Sequence, residues 1–191
     1  MKGNYSGTKT LTFKIKPIDI SKLKLSISAT SYTYDGKTKT PTITVKNAKG
    51  TKLTKNTHYI VTYASGRKNV GTYKVTVKMK GNYTGTKTFT FKINPVKTTV
   101  SKVTPATKKL TVTFAKKTTQ VTGYEVQYST SSKFTTSTTK TKTVTKNTTT
   151  SASITGLKAK TTYYVRVRTY KTVNGVKYYS GWSAAKSAKT K

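Results

Sequence analysis

Any chemistry in this chain would have to be assembled from very few groups: the carboxylates of Asp19, Asp35 and Glu125, the imidazole of His58, and no thiol. Hydrolytic acid–base work needs two carboxylates converging on one bond, and these three lie in different segments. Asp35 stands within Tyr-Asp-Gly and is expected to bond its own backbone in a turn. A lone histidine leaves no His-based metal cluster and no Ser-His-Asp relay to build. With so few acids and no cysteine, calcium and zinc sites also lack ligands. His58 therefore reads as a structural residue at a strand edge. No catalytic residue, metal site or cofactor is expected.

Cations are the opposite case. Lys+Arg number 38 against 3 Asp+Glu, a formal net charge of +35. Such a surface repels itself and draws polyanions within a Debye length, about 10 Å at 0.1 M salt. Teichoic acid, nucleic acid, sulfated glycans and acidic cell surfaces all answer that description, and charge does not choose among them. The lysines are spread over outward strand positions and loops without one dense cluster. They read either as a solubilising coat or as a diffuse adsorbing surface with steep salt dependence.

The arginines are more discriminating. Arg166 and Arg168 alternate with Tyr164 and Tyr170 along one outward strand face, which makes these four the candidate polyanion or ligand contact. A guanidinium fork can grip phosphate or sulfate with two bonds, and aromatic faces can stack on sugars or bases. The plainer reading is cross-strand packing. Trp182 has the same two readings, with packing ahead. Glu125, also outward by alternation, is expected opposite one of the arginines as an exposed stitch worth about 0.2–1 kcal/mol.

The elements that must carry these residues are strands. Low hydrophobicity with high charge can mark disorder, but here the apolar residues alternate. Tyr73, Val75, Val77 and Met79 point one way and Lys74, Thr76 and Lys78 the other. Phe89, Phe91 and Ile93 repeat the pattern, as do Leu110, Val112 and Phe114, and Tyr124, Val126 and Tyr128. Threonine is the commonest residue; together with valine, isoleucine and tyrosine it suits a pleated, half-buried surface. No run has the helical period, so the fold class is all-β. No apolar run approaches the roughly 18 residues of a membrane span. Nor does an apolar region follow Met1 as in a signal peptide, so an export signal would lie outside this sequence.

An internal repeat sets the expected boundaries. Residues 2–17 match residues 80–95 at thirteen of sixteen positions, at an offset of 78. The first block then reads as the closing strand of an upstream repeat (1–17), followed by one complete repeat (18–95) and a different unit (96–191). The plainer expectation for the first block is a frayed tail. The sharper one is strand exchange with a neighbouring molecule, with Leu11, Phe13 and Ile15 on one face. Self-association through residues 8–16 would follow.

Two resemblances complete the reading. Tyr34-Asp35-Gly36, His58-Tyr-Ile-Val-Thr-Tyr63, Asn69-Val-Gly-Thr-Tyr73 and Gly81-Asn-Tyr-Thr-Gly85 resemble the tandem Ig-like repeats of Gram-positive surface proteins. His58 departs from that pattern, which has an aspartate there. Leu157-Lys-Ala-Lys-Thr-Thr-Tyr163-Tyr-Val165-Arg-Val167 resembles the E–F corner and F strand of a fibronectin type III domain, with Ala159 in place of its proline. Phe114 stands where that family's B strand often carries tryptophan, and its Arg-Gly-Asp tripeptide is missing.

Together these imply two tandem β-sandwiches, with the Tyr163 ring in the core and its hydroxyl on the corner backbone. Asn174-Gly175 is a two-residue hairpin signal between F and G. The Lys–Asn crosslinks found in some Gram-positive surface modules need a buried acid, and none is expected here. What the resemblance implies about function is a non-catalytic spacer or adhesive segment at the surface or wall of a Gram-positive-type bacterium, or secreted from it. Anionic polymers would be its non-specific partners. Alternatives are a specific glycan- or host-protein-binding module, contacts with neighbouring surface proteins, or a strand-exchanged filament subunit.

Overall fold

The protein is described by a computed structural model covering residues 3, 4 and 6–191. Its strands arise where alternating Thr, Val, Tyr and Lys let one side of a ribbon bury and the other face water. The first unit contains β1 (Ile18–Asp19), a short 3-10 turn (Ile20–Lys22), β2 (Lys24–Ile27), β3 (Ser31–Thr33), β4 (Ile43–Lys46), β5 (Tyr59–Tyr63), β6 (Gly71–Met79), β7 (Tyr83–Thr84) and β8 (Thr86–Asn94). Strands β2 and β4 pair antiparallel in one layer; the other is ordered β3-β8-β6-β5, with β3 parallel to β8.

Between the layers lie Ile43 and Val45 from one side and Val75, Val77, Met79, Phe91 and Ile93 from the other, closed by Leu23, Leu53 and Tyr59. Phe91 and Ile93 are 1% and 0% exposed, so each adds about 1.5–3 kcal/mol of burial. β8 reaches this position past the 3-10 turn because Gly85, at φ +105°, has no side chain; a Cβ there would come 2.5 Å from Ile20 Cγ2.

The second unit contains β9 (Val100–Ala106), β10 (Lys109–Phe114), β11 (Gly123–Ser129), β12 (Thr139–Val144), β13 (Ser151–Thr155), β14 (Thr162–Val173), β15 (Val176–Tyr179) and β16 (Lys186–Lys189). One sheet is β13-β10-β9 and the other β12-β11-β14, with β15 and β16 both pairing with β14. Leu110, Val112, Phe114, Tyr124, Val126, Ile154, Tyr163, Val165 and Val167 form its core. The β14–β15 hairpin turns on Asn174 and Gly175 at φ 47° and 78°, the left-handed pair a two-residue turn requires. The corner before β14 is tied by Tyr163, whose hydroxyl accepts from the Lys158 N–H at 3.1 Å. Thr190 also ties it, donating to the Lys158 carbonyl at 2.6 Å.

The units touch beyond their covalent link. Gln120 Oε1 accepts from the Val70 N–H at 3.2 Å, and the Tyr178 hydroxyl donates to Thr72 Oγ1 at 3.1 Å. Pro95 is buried, and the Val96 carbonyl accepts from Thr169 Oγ1 at 2.6 Å.

Residues 6–17 differ from the strand expected over 8–16: within the single chain they form no β-ladder and lie exposed. Alternation there provides one apolar face, but a strand also needs a partner for its backbone groups. Among the described residues, no helix is long and apolar enough to cross a membrane.

Candidate cationic contact surface

The long strand β14 brings Arg166 and Arg168 to the same side of the sheet, and β11 supplies their partners in register. Glu125 lies opposite Arg168, and Gln127 opposite Arg166. Arg168 donates from Nε and Nη2 to Glu125 Oε2 at 3.0 and 2.7 Å. Arg166 donates from the same two atoms to Gln127 Oε1 at 2.9 and 2.7 Å. Aromatic rings then clasp the guanidinium planes. Arg166 Cζ is 4.0 Å from the Phe134 ring centre and 4.7 Å from Trp182, while Arg168 Cζ is 4.3 Å from Trp182 and 3.8 Å from Tyr179. Tyr170 continues the series, 6.3 Å from Tyr179 and capped by Lys177 Nζ at 4.8 Å.

This packing corrects two expectations. Glu125 is only 7% exposed and Tyr170 only 3%, so neither is the outward, solvated residue that alternation predicts. Period two reports which side of a sheet a residue occupies, not whether another segment covers that side. Here Phe134, Trp182 and Tyr179 lie over it. The stripe Tyr164, Arg166, Arg168, Tyr170 consequently does not offer a free bidentate grip: on each arginine, Nε and Nη2 are already given to a neighbour on β11. Tyr164 is half-buried farther along the strand. Burial first, and then the charge of Arg168, pull Arg166 below its ordinary pKa. Burial and the nearby Glu125 charge push the Tyr170 phenol up.

The other acids are also engaged locally. Asp19 accepts from the Ser21 N–H at 2.8 Å, capping the 3-10 turn. Asp35 accepts from the Lys37 N–H at 2.9 Å and pairs with the Lys39 ammonium. The bond from Lys39 is the largest cause holding the Asp35 carboxyl below 3.8. His58 Nδ1 accepts from the Thr54 N–H at 2.9 Å, and its ring meets Tyr83 edge-on, so it shapes the turn before β5. No three His, Cys, Asp or Glu residues gather into a metal-sized group among the described residues.

Beyond these few acids, the molecule presents lysine. The outward side of the four-stranded sheet displays Lys74 and Lys78 on β6 and Lys92 on β8. Thr72, Thr76, Thr88 and Thr90 lie between them, the strands pairing Thr72 with Lys92 and Lys74 with Thr90. Where this sheet meets the β14–β15 hairpin, a cleft of about 330 Å³ opens, lined by Thr72, Lys92 and Asn94 on one side and Val176, Lys177, Tyr178 and Tyr179 on the other. It joins two ammonium groups with hydroxyl and amide donors and has no carboxylate in its lining. Nothing in the sequence points to this cleft, because its walls lie about a hundred residues apart and meet only through the junction. Phe134 gave no sequence signal either. Trp182 and the pairing of Glu125 with an arginine did.

Comparison with known proteins bears on the second unit. Residues 94–185 match the family model of the fibronectin type III domain. The second unit is a fibronectin type III domain. Domains of this kind are generally non-catalytic and often bind partners. No curated protein matches the chain. Among solved structures, the FN1–FN3 domains of chicken CNTN1 align over 64% of this chain and 43% of their own, at 18% identity and a TM-score of 0.43. Domains A168–A170 of titin align over 88% of this chain and 66% of their own, at 16% identity and a TM-score of 0.37. The chain thus spans less than half of the first structure and about two thirds of the second.

Proposed function

We propose that this chain is a non-catalytic structural and adhesive segment of a bacterial surface or secreted protein, an Ig-like repeat followed by a fibronectin type III domain. Its lysine-covered exterior holds anionic polymers such as wall teichoic acid. The observation that carries this reading is the one-sided charge, 38 cationic residues against 3 acidic ones, with Asp35 and Glu125 each paired to a cation and Asp19 bonded to its own turn. The exterior therefore carries an almost unbroken positive field, and adsorption proceeds by release of counterions from the polymer. The units make contacts across their junction, which suits a spacer that keeps its length.

Salt titration tests the proposal. Teichoic acid, heparin and DNA should all bind at low salt with affinities falling linearly on logarithmic axes, and all should be lost by about 0.5 M salt. Binding of a single polymer that persists at that salt, with the others inert, would overturn it. The inter-unit cleft favours a narrower second reading, a specific site for an anionic sugar. Lys92→Ala with Lys177→Ala should then abolish one ligand. Removing two lysines elsewhere, Lys140→Ala with Lys142→Ala, should not.

A further inference from the structure

Leu11, Phe13 and Ile15 are 79%, 87% and 76% exposed, and they alternate in sequence along a segment that has no partner strand. Three large apolar side chains at alternate positions, each more than three-quarters exposed, exceed the exposure of any other large apolar residue among those described. Their counterparts 78 positions later are Phe89, Phe91 and Ile93 on β8. There the same pattern closes the first unit: Phe89 lies opposite Val75, Phe91 opposite Tyr73 and Ile93 opposite Gly71, while β3 runs parallel on the other side. The intervening threonines correspond as well, Thr10 to Thr88 and Thr12 to Thr90.

The segment after each strand shows the same contrast. Pro95 is buried and Val96 half-buried between two units, whereas Pro17 is exposed and Ile18 is 46% exposed. Beside Ile18 an open hollow of about 200 Å³, lined mainly by apolar surface of Ile18, Leu23 and Ala48, is left at this end of the unit.

We infer that residues 8–16 are an interaction strand whose partner is a further unit built like residues 18–79, open at the position β8 fills. The strand enters between that unit's β3 and β6, with Phe13 taking the place of Phe91. Its own molecule does not offer the slot, because β8 occupies it. Backbone ladders supply the attachment and the alternating apolar side chains supply the register, since a slip of one residue would turn all three to water.

A fused chain tests this. Residues 18–79 are placed ahead of residues 2–191, so that the full chain is present and the added copy lacks only its closing strand. Amide hydrogen exchange is then read at residues 11, 13 and 15. The expected result is protection of these amides by a hundredfold or more relative to the chain alone. Leu11→Ser, Phe13→Ser and Ile15→Ser together should abolish that protection and leave the added copy unfolded. Unprotected amides in the fused chain overturn the inference. So does an added copy that stays unfolded with the natural tail, because the tail is meant to supply all that it lacks. Tail-dependent dimerisation of the unfused chain in sedimentation would also overturn it, since the occupant would then be an exposed edge of an intact second copy.

Discussion

Replacing Arg168 with alanine isolates the largest single polar commitment in the fibronectin type III domain. Glu125 is held beneath the aromatic stack with a side chain 9% exposed, while the Arg168 side chain is 24% exposed. Removing one partner of a buried ion pair costs about 3–5 kcal/mol, because the remaining charge keeps its desolvation penalty and loses its compensation. Partial access of water through the arginine side places the expected value near the lower end, about 3 kcal/mol. Loss of the guanidinium from between Trp182 and Tyr179 is included in that figure. Glu125→Gln retains an acceptor for the arginine and should cost less, about 1 kcal/mol.

Trp182 is the only tryptophan and touches both arginines, so its fluorescence follows unfolding of this domain alone. With a urea slope of about 1–3 kcal/mol per molar, the Arg168→Ala midpoint should fall by about 1–3 M. A double-mutant cycle over Glu125 and Arg168 should return a coupling of about 1–3 kcal/mol. The cost should persist in 0.5 M salt, where an exposed pair would be screened while repulsion among lysines is relieved in every variant. A loss below about 0.5 kcal/mol would refute the argument, since that is what an ordinary surface substitution does. A cost that disappears in salt would refute it equally.

Two further outcomes are expected. Tyr163→Phe removes the acceptor for the Lys158 N–H at the corner before β14 and should destabilise the domain by about 1–3 kcal/mol in the same urea assay. For pH, burial raises the phenols of Tyr124 and Tyr59 above 10, so the stability they contribute is fully present below pH 10 and is lost as pH climbs through the raised values; spectrophotometric titration should find them ionising after exposed tyrosines. Asp19 and Asp35 behave in the opposite sense. Their carboxyls are held below 3.8, Asp19 chiefly by Ser21 and Asp35 chiefly by Lys39, so their contribution is present above that value and fades only as pH falls beneath it. Carbon-detected NMR titration of the two carboxyls should place both midpoints below 3.8.

The residues that alternate along β6, β8, β10, β11 and β14 were legible as strands before any coordinates, because burial of one side of a ribbon imposes period two on its side chains. The same holds for the Asn174-Gly175 turn, the Tyr163 corner and the facing of Glu125 by an arginine, each set by contacts close in sequence or by strand register. The scarcity of acids, and with it the positive exterior, needs no folding to be seen. Tertiary structure alone decided what lies over an outward-pointing side chain. Tyr179 and Trp182, at and just after the end of β15, and Phe134, from the loop between β11 and β12, cover Arg166, Arg168 and Glu125, and alternation carries no record of a covering segment. It also decided the cleft between Lys92 and Lys177, whose walls belong to different units and meet only through the junction at Pro95. Pattern is local and records a side of the sheet; coverage is the sum of distant contacts, and only the packed chain performs that sum.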